Sequence, residues 1–260
     1  MPGGGFSIPY QRRYFSLAVI VKRHQNYDQL NYKNLLLASL KQKLKMDSKS
    51  FLKKFATCIV AGLTSSALWL SIGNSGMIPW LPPILIFSFV GISMLSTLIF
   101  PFIWQLKENK QKINSEKVFG FFYSVIRYSI AFNLCRFGWA KLFDLQFVVP
   151  QDVAKQPINQ LSGEWLTWYY FGHSSTFGVI IAFFQIIGAY LLLFRKTLLL
   201  VATILFAFML NLTLINIFYQ MNLGALIQSV IITSGILFLI LLDYERLVTF
   251  FLEKNQIFLL

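Results

Sequence analysis

Between Thr197 and Leu242 the chain carries no charged residue for 46 consecutive positions. As a single helix that run would measure ~69 Å at ~1.5 Å per residue, more than twice the ~30 Å hydrocarbon core of a bilayer. It must fold back on itself. The stretch Gln220-Met221-Asn222-Leu223-Gly224 supplies the polar residues and the glycine for a reversal. The run is therefore expected to be a tight helical hairpin, 197–219 and 224–242.

The rest of the chain repeats the pattern. Residues 55–73 are uncharged, long enough to span. Asn74, Gly76, Pro79, Pro82 and Pro83 then form a turn-rich link to a second span at 84–104, with Pro101 near its expected end. The loop LKENKQKINSEK follows. A third span runs from about Val118 to Phe143, and a fourth from Ser174 to Phe194. The chain is 56% hydrophobic and 13% charged, where soluble domains carry about 25% charged residues. The expected fold is all-α: a polytopic membrane helical bundle of six transmembrane helices.

Charge gives the threading. Residues 1–54 hold eleven Lys or Arg against Asp28 and Asp47. Six spans put both ends on one side. The short segments on that side carry Lys45, Lys49, Lys53, Lys54, the lysines of the 107–117 loop, Arg195, Lys196, Arg246 and Lys254. The other side has Lys155, with Arg136 and Lys141 at its boundary. That asymmetry predicts cytoplasmic termini. The net charge of +13 is thus a matter of topology, and no nucleic-acid motif accompanies it. Residues 1–54 read as a basic cytoplasmic arm, and Met46 is an alternative start, because MDSKSFLKK leads directly into the first span. Cys58 and Cys135 lie far apart with no CxxC, which argues against thiol–disulfide exchange.

The third span carries the chemistry. An arginine inside a span needs a partner, and Arg127 falls near the midplane, ~14 Å from the start of its span. Gly138 and Lys141 lie within about 40° of Arg127 on the same helical face, and Arg136 points the other way. Gln185 of the fourth span comes out at the same level, so it is the expected hydrogen-bond partner of Arg127. Asn133, Asn211 and Gln228 share a depth of about 21 Å and could form a second polar layer. Arg136, Lys141, Asp144, Glu164 and His173 gather near the outer surface. They read either as snorkelling and surface pairing or as a basic mouth leading down to Arg127, suited to a quinone, an anionic lipid or another amphiphile. Trp165, Trp168, Tyr169 and Tyr170 read as an interfacial belt. His173 has no second histidine on its side, since His24 lies in the arm, so no metal site is expected. No nucleophile has a neighbouring base, so no catalytic residue is expected either.

Arg127, Gly138 and Lys141 reproduce the R-x(10)-G-x(2)-K pattern of the first helix of DoxX-like membrane proteins, which the chain resembles over about 118–250. The run from Gln185 through Gly188 to Arg195-Lys196 resembles that family's second helix, although Gln185 stands where the family often has a glutamate and Ala131 where a glycine is common. The resemblance implies a four-helix core at 118–250, to which the 55–104 hairpin and the 105–117 loop are additions and 251–260 a tail. It implies the bacterial inner membrane and a small accessory subunit, some relatives being subunits of quinone-linked oxidoreductases or companions of thiol-redox enzymes. The leading expectation is a subunit without a catalytic centre of its own. It would bind a hydrophobic or quinone-type molecule, or a redox partner, among membrane lipids, through Arg127, Gln185, Lys141, Gly138, Arg136, His173 and Asn211. The alternatives are a small-molecule or lipid transporter using the same basic cavity, and a structural assembly factor in which Arg127 bonds to carbonyls and no cavity exists.

Overall fold

A computed structural model describes residues 50–74 and 81–248. The basic arm before residue 50, with His24 and Met46, the middle of the first link and the tail from residue 249 lie outside the described residues. Six helices are long and apolar enough to cross a membrane: α1 (Phe51–Ile72), α2 (Pro83–Asn109), α3 (Ser115–Leu142), α6 (Ser175–Leu192), α7 (Leu198–Phe218) and α8 (Leu223–Leu242). Between α3 and α6 lie α4 (Gln151–Ala154), a 3-10 turn (Ile158–Gln160) and α5 (Gly163–Gly172), and α9 (Tyr244–Val248) follows α8. The protein is a polytopic membrane helical bundle, as the sequence predicts.

Local chemistry sets the helix starts. Asn114 Oδ1 accepts from Glu116 N (3.0 Å) and Lys117 N (3.2 Å) to open α3. Ser174 Oγ does the same for α6 through Phe177 N, and Asn222 Oδ1 for α8 through Ala225 N. Pro83 opens α2, where a missing N–H is harmless. These caps satisfy amides that neither lipid nor the helix itself would satisfy.

The spans alternate in direction, so one end of the bundle carries the starts of α1, α3 and α7 and the ends of α2, α6 and α8. This is the lysine-rich end; the opposite, loop-rich end carries α4 and α5. The core is an apolar stripe on each inner helix: Ile126, Ile130 and Leu134 of α3, Ala189 and Leu192 of α6, Leu198, Ala202 and Leu205 of α7, and Ile232, Ile236 and Leu239 of α8. Spacings of three and four keep each set on one helical face. α3 packs on α6, and α7 on α8. At Gly138 a Cβ would lie 2.6 Å from Ile186 Cγ1 and 3.0 Å from Ala182 O, so the α3–α6 approach depends on the missing side chain.

α1 is built into this bundle. It packs on α3 and α8 as well as α2, and places Ala61 in the common core. Gly235 of α8 meets Thr64 of α1 and Ile130 of α3 there; a Cβ on it would lie 2.8 Å from Ile130 Cδ1. α2 stands outside, packs on α1, and buries one edge, Ile86, Thr97, Pro101 and Trp104. Its other faces are apolar and exposed, as lipid-facing helices are.

Two boundaries differ most from expectation. α1 begins at Phe51, before Lys53 and Lys54, and α2 continues to Asn109, past Lys107 and Glu108. The reason is an ion pair: Lys54, 1% exposed, bonds Glu108 and donates to Gln105 Oε1 (2.6 Å), which lets charged turns of both helices join the packed bundle. Pro101 consequently lies well inside α2 rather than near its end.

Candidate functional site

Arg127 is buried, but it does not meet Gln185. Its Nε donates to Leu192 O (3.3 Å) and its Nη2 to Leu193 O, the last carbonyls of α6. The guanidinium lies 5.6 Å from the Tyr123 ring, and Tyr123 Oη bonds Asp243 Oδ2 (3.2 Å) beyond α8. Arg127 therefore ties α6 to α3 at the lysine-rich end, favourably placed against the negative pole of α6. The expected Arg127–Gln185 hydrogen bond fails for a directional reason. Side chains lean toward the N-terminus of their own helix. α3 and α6 run in opposite directions, so Arg127 leans to the lysine-rich end and Gln185 to the loop-rich end.

What Gln185 faces instead is a cavity of about 410 Å³ in the loop-rich half, between α1, α3, α6, α7 and α8. Gln185 is 2% exposed, and its Oε1 has no hydrogen-bond partner. Ser71 of α1 is buried and also lines the cavity, and its Oγ is also unpartnered. A buried polar atom left unpaired costs about 1–3 kcal/mol, so such atoms are rare unless something else meets them. Arg136, expected to point away from the face of Lys141, lines the cavity together with it, because the lining takes in α3 from Leu134 through Phe137 to Lys141 rather than one narrow face. Lys141, 8% exposed, donates to Phe137 O (3.3 Å) and Gln146 Oε1 (3.0 Å).

The polar layer forms from two of its three expected members. Gln228 Nε2 donates to Asn133 Oδ1 (3.0 Å) and to Ala67 O of α1 (3.3 Å), and Gln228 also lines the cavity. Asn211 takes no part and is exposed on the outer side of α7. It lies two residues from both Met209 and Thr213, which are buried, and about 200° round the helix from each. Depth alone does not fix a face.

The loop-rich end is roofed by Gln146 and Phe147, which follow α3, and by Thr167 and Phe171 of α5. Phe147 holds φ at 69°, a left-handed conformation rare for an aromatic residue, and its ring stacks on Phe171 at 5.0 Å. α5 is moored by Asn222 Nδ2, which donates to Glu164 Oε1 (3.1 Å). His173 is exposed and borders a separate surface hollow with Tyr169, Tyr170 and Phe177. The structure thus brings Gln185, Lys141 and Arg136 to one cavity, uses Gly138 for the α3–α6 contact, and sets Arg127, His173 and Asn211 elsewhere. Among the described residues, no three His, Cys, Asp or Glu side chains are grouped as a metal ion would require.

Over 135 residues the chain is 30% identical to YwoB of Bacillus subtilis (strain 168), an uncharacterised protein; the match covers 50% of this chain and 82% of YwoB. The chain belongs to the YwoB family. No family model and no solved structure matches it. The YwoB name carries no activity, so the chemistry of the cavity rests on its lining.

Ser71, Gln146, Thr167 and Asn216 were not singled out from sequence, and all four line the cavity. For Ser71 and Asn216 a signal existed: each is a polar residue in the last turn of a span, at the level of Lys141. Gln146 and Thr167 belong to the segment between spans, whose path no periodicity sets.

Proposed function

We propose that the protein is a DoxX-like accessory protein of the bacterial inner membrane, with cytoplasmic termini and no catalytic centre of its own. It holds a hydrophobic or quinone-type molecule in the cavity between its spans, on its own or for a redox partner. The observation that carries this reading is the pair of unpartnered buried polar atoms, Gln185 Oε1 and Ser71 Oγ, on the lining of a cavity that mixes apolar side chains with polar ones such as Asn216, Gln228 and Lys141. The volume lies in the range of small-molecule sites. The motif of Arg127, Gly138 and Lys141 supports the DoxX-like assignment. The carbonyl bonds of Arg127 support a structural role for that residue within the same protein.

The test is Gln185→Leu, a change of similar size that removes the unpaired amide. Protein purified in mild detergent from native membranes is extracted, and its small molecules are identified by mass spectrometry. The wild type is expected to carry a hydrophobic molecule that the variant loses, while the variant melts at the same or a higher temperature. An identical complement of molecules in both, or a variant that melts well below the wild type, would show that the amide serves the fold alone.

A further inference from the structure

Resting on the proposal that the cavity is a ligand site, we infer that its occupant is an acidic amphiphile, with a carboxylate or phosphate head set between Arg136 and Lys141. Two cationic side chains line the cavity, and no Asp or Glu does. The nearby acids are placed otherwise: Glu164 accepts from Asn222, and Asp144 is exposed on the turn after α3. Among the described residues neither cation has an ion-pair partner. The ammonium of Lys141 has three protons and spends two, on Phe137 O and Gln146 Oε1, leaving one for the cavity. The Arg136 guanidinium has the Phe137 ring at 5.5 Å and makes no hydrogen bond among the described residues, leaving a planar fork suited to a carboxylate or phosphate.

Arg136 and Lys141 lie toward the outer end of α3, where a charge shielded from bulk water still favours a partner within reach. The chain answers its other buried cations itself, Lys54 with Glu108 and Arg127 with the carbonyls of Leu192 and Leu193. At the cavity no acid lines the wall and Arg136 makes no hydrogen bond among the described residues, so the counter-charge is assigned to the occupant. Ser71 Oγ can donate to the same anion, and Gln185 Oε1 can accept from a hydroxyl or a protonated head. Deeper in, Leu134, Met209, Leu212 and Ile232 line the cavity beside Gln185 and Gln228 and give a hydrocarbon chain apolar surface to pack on. A neutral quinone would leave both cations unbalanced, and a free anion would leave the apolar walls unfilled.

The experiment uses the full chain in nanodiscs of phosphatidylcholine, titrated with four probes and read by calorimetry. Oleate carries a carboxylate head and a long chain. Oleyl alcohol has the same chain without the charge, decylubiquinone is a neutral quinone, and inorganic phosphate is an anion without a tail. Oleate is expected to bind near one per protein. Arg136→Gln and Lys141→Met each weaken it about tenfold, and Lys141→Arg retains most of it. Oleyl alcohol and inorganic phosphate are expected to bind far more weakly. If oleyl alcohol or decylubiquinone binds as tightly as oleate and ignores both substitutions, the cavity remains a ligand site and the acidic-head inference is overturned. Tight inorganic phosphate that oleate does not displace would overturn the amphiphile in favour of a free anion. If no probe binds, both this inference and the proposal beneath it fall. Should a substitution prevent folding, the wild-type ratio of oleate to oleyl alcohol decides.

Discussion

The two ends of the bundle treat buried cations in opposite ways. At the lysine-rich end, Lys54 is locked to Glu108 and Gln105, and Arg127 to the carbonyls of Leu192 and Leu193. Tyr123 and Asp243 extend that network to α8. Both buried cations there are answered by the protein, and these polar groups act as fasteners between helices. At the loop-rich end Arg136 and Lys141 look into a cavity without an acid, beside an amide oxygen and a hydroxyl that nothing meets. The same residue types thus do two jobs, and what separates them is whether the side chain lines a cavity. A buried cation by itself is no sign of a binding site; the proposal of one rests on cations that line a cavity together with unpaired polar atoms.

The largest expected effect breaks the closed end. Lys54→Met removes the buried ammonium that bonds Glu108 and Gln105 and should lower unfolding free energy by about 3 kcal/mol, measured by titrating micelles with a denaturing detergent. Lys54→Met combined with Glu108→Gln should recover much of that loss, as a double-mutant cycle would show. A loss in the single variant below about 1 kcal/mol would mean the pair behaves as a solvated one and the end is not closed. Next comes Arg127→Gln. It uncaps the last carbonyls of α6 and should cost about 2 kcal/mol, with no change in the molecules retained by the folded fraction. Altered retention would place Arg127 back in the binding site. The smallest effect sharpens the contrast from the other side: Arg136→Gln should leave stability within about 0.5 kcal/mol of wild type. A destabilisation as large as that of Arg127→Gln would erase the difference between the ends.

The bundle was largely legible in the sequence because uncharged length alone counts spans. The hairpin at 197–242 needed no more than the polar interruption at 220–224, and α7 and α8 meet around it. Charge marks the end of a span only where it stays solvated, and at Lys54 and Glu108 a pair between two helices removes that rule. The site was legible in composition and less so in direction. Arg127 and Gln185 were matched by depth, which follows from counting residues. The lean of a side chain depends on which way its helix runs, and that separates them. Asn211 failed for the complementary reason, having the right depth and the wrong face. Asn133 and Gln228, alike in depth, do meet, because their helices turn those faces toward each other.

The contact between α1 and α8 bears on how the molecule is made. The first described span and the last touch, through Gly235 beside Thr64 and through Gln228 on the carbonyl of Ala67. Contacts so distant in sequence form late, since the chain between them must be in place before they can close. Earlier spans can enter the membrane and pair as they emerge from the ribosome, but α1 waits for α8 to complete its surroundings. Until then Ala67 O lacks the amide of Gln228. A nascent chain stopped before Leu223 would therefore present a recognisable unfinished seam, the kind of surface by which membrane quality control tells an incomplete product from a complete one.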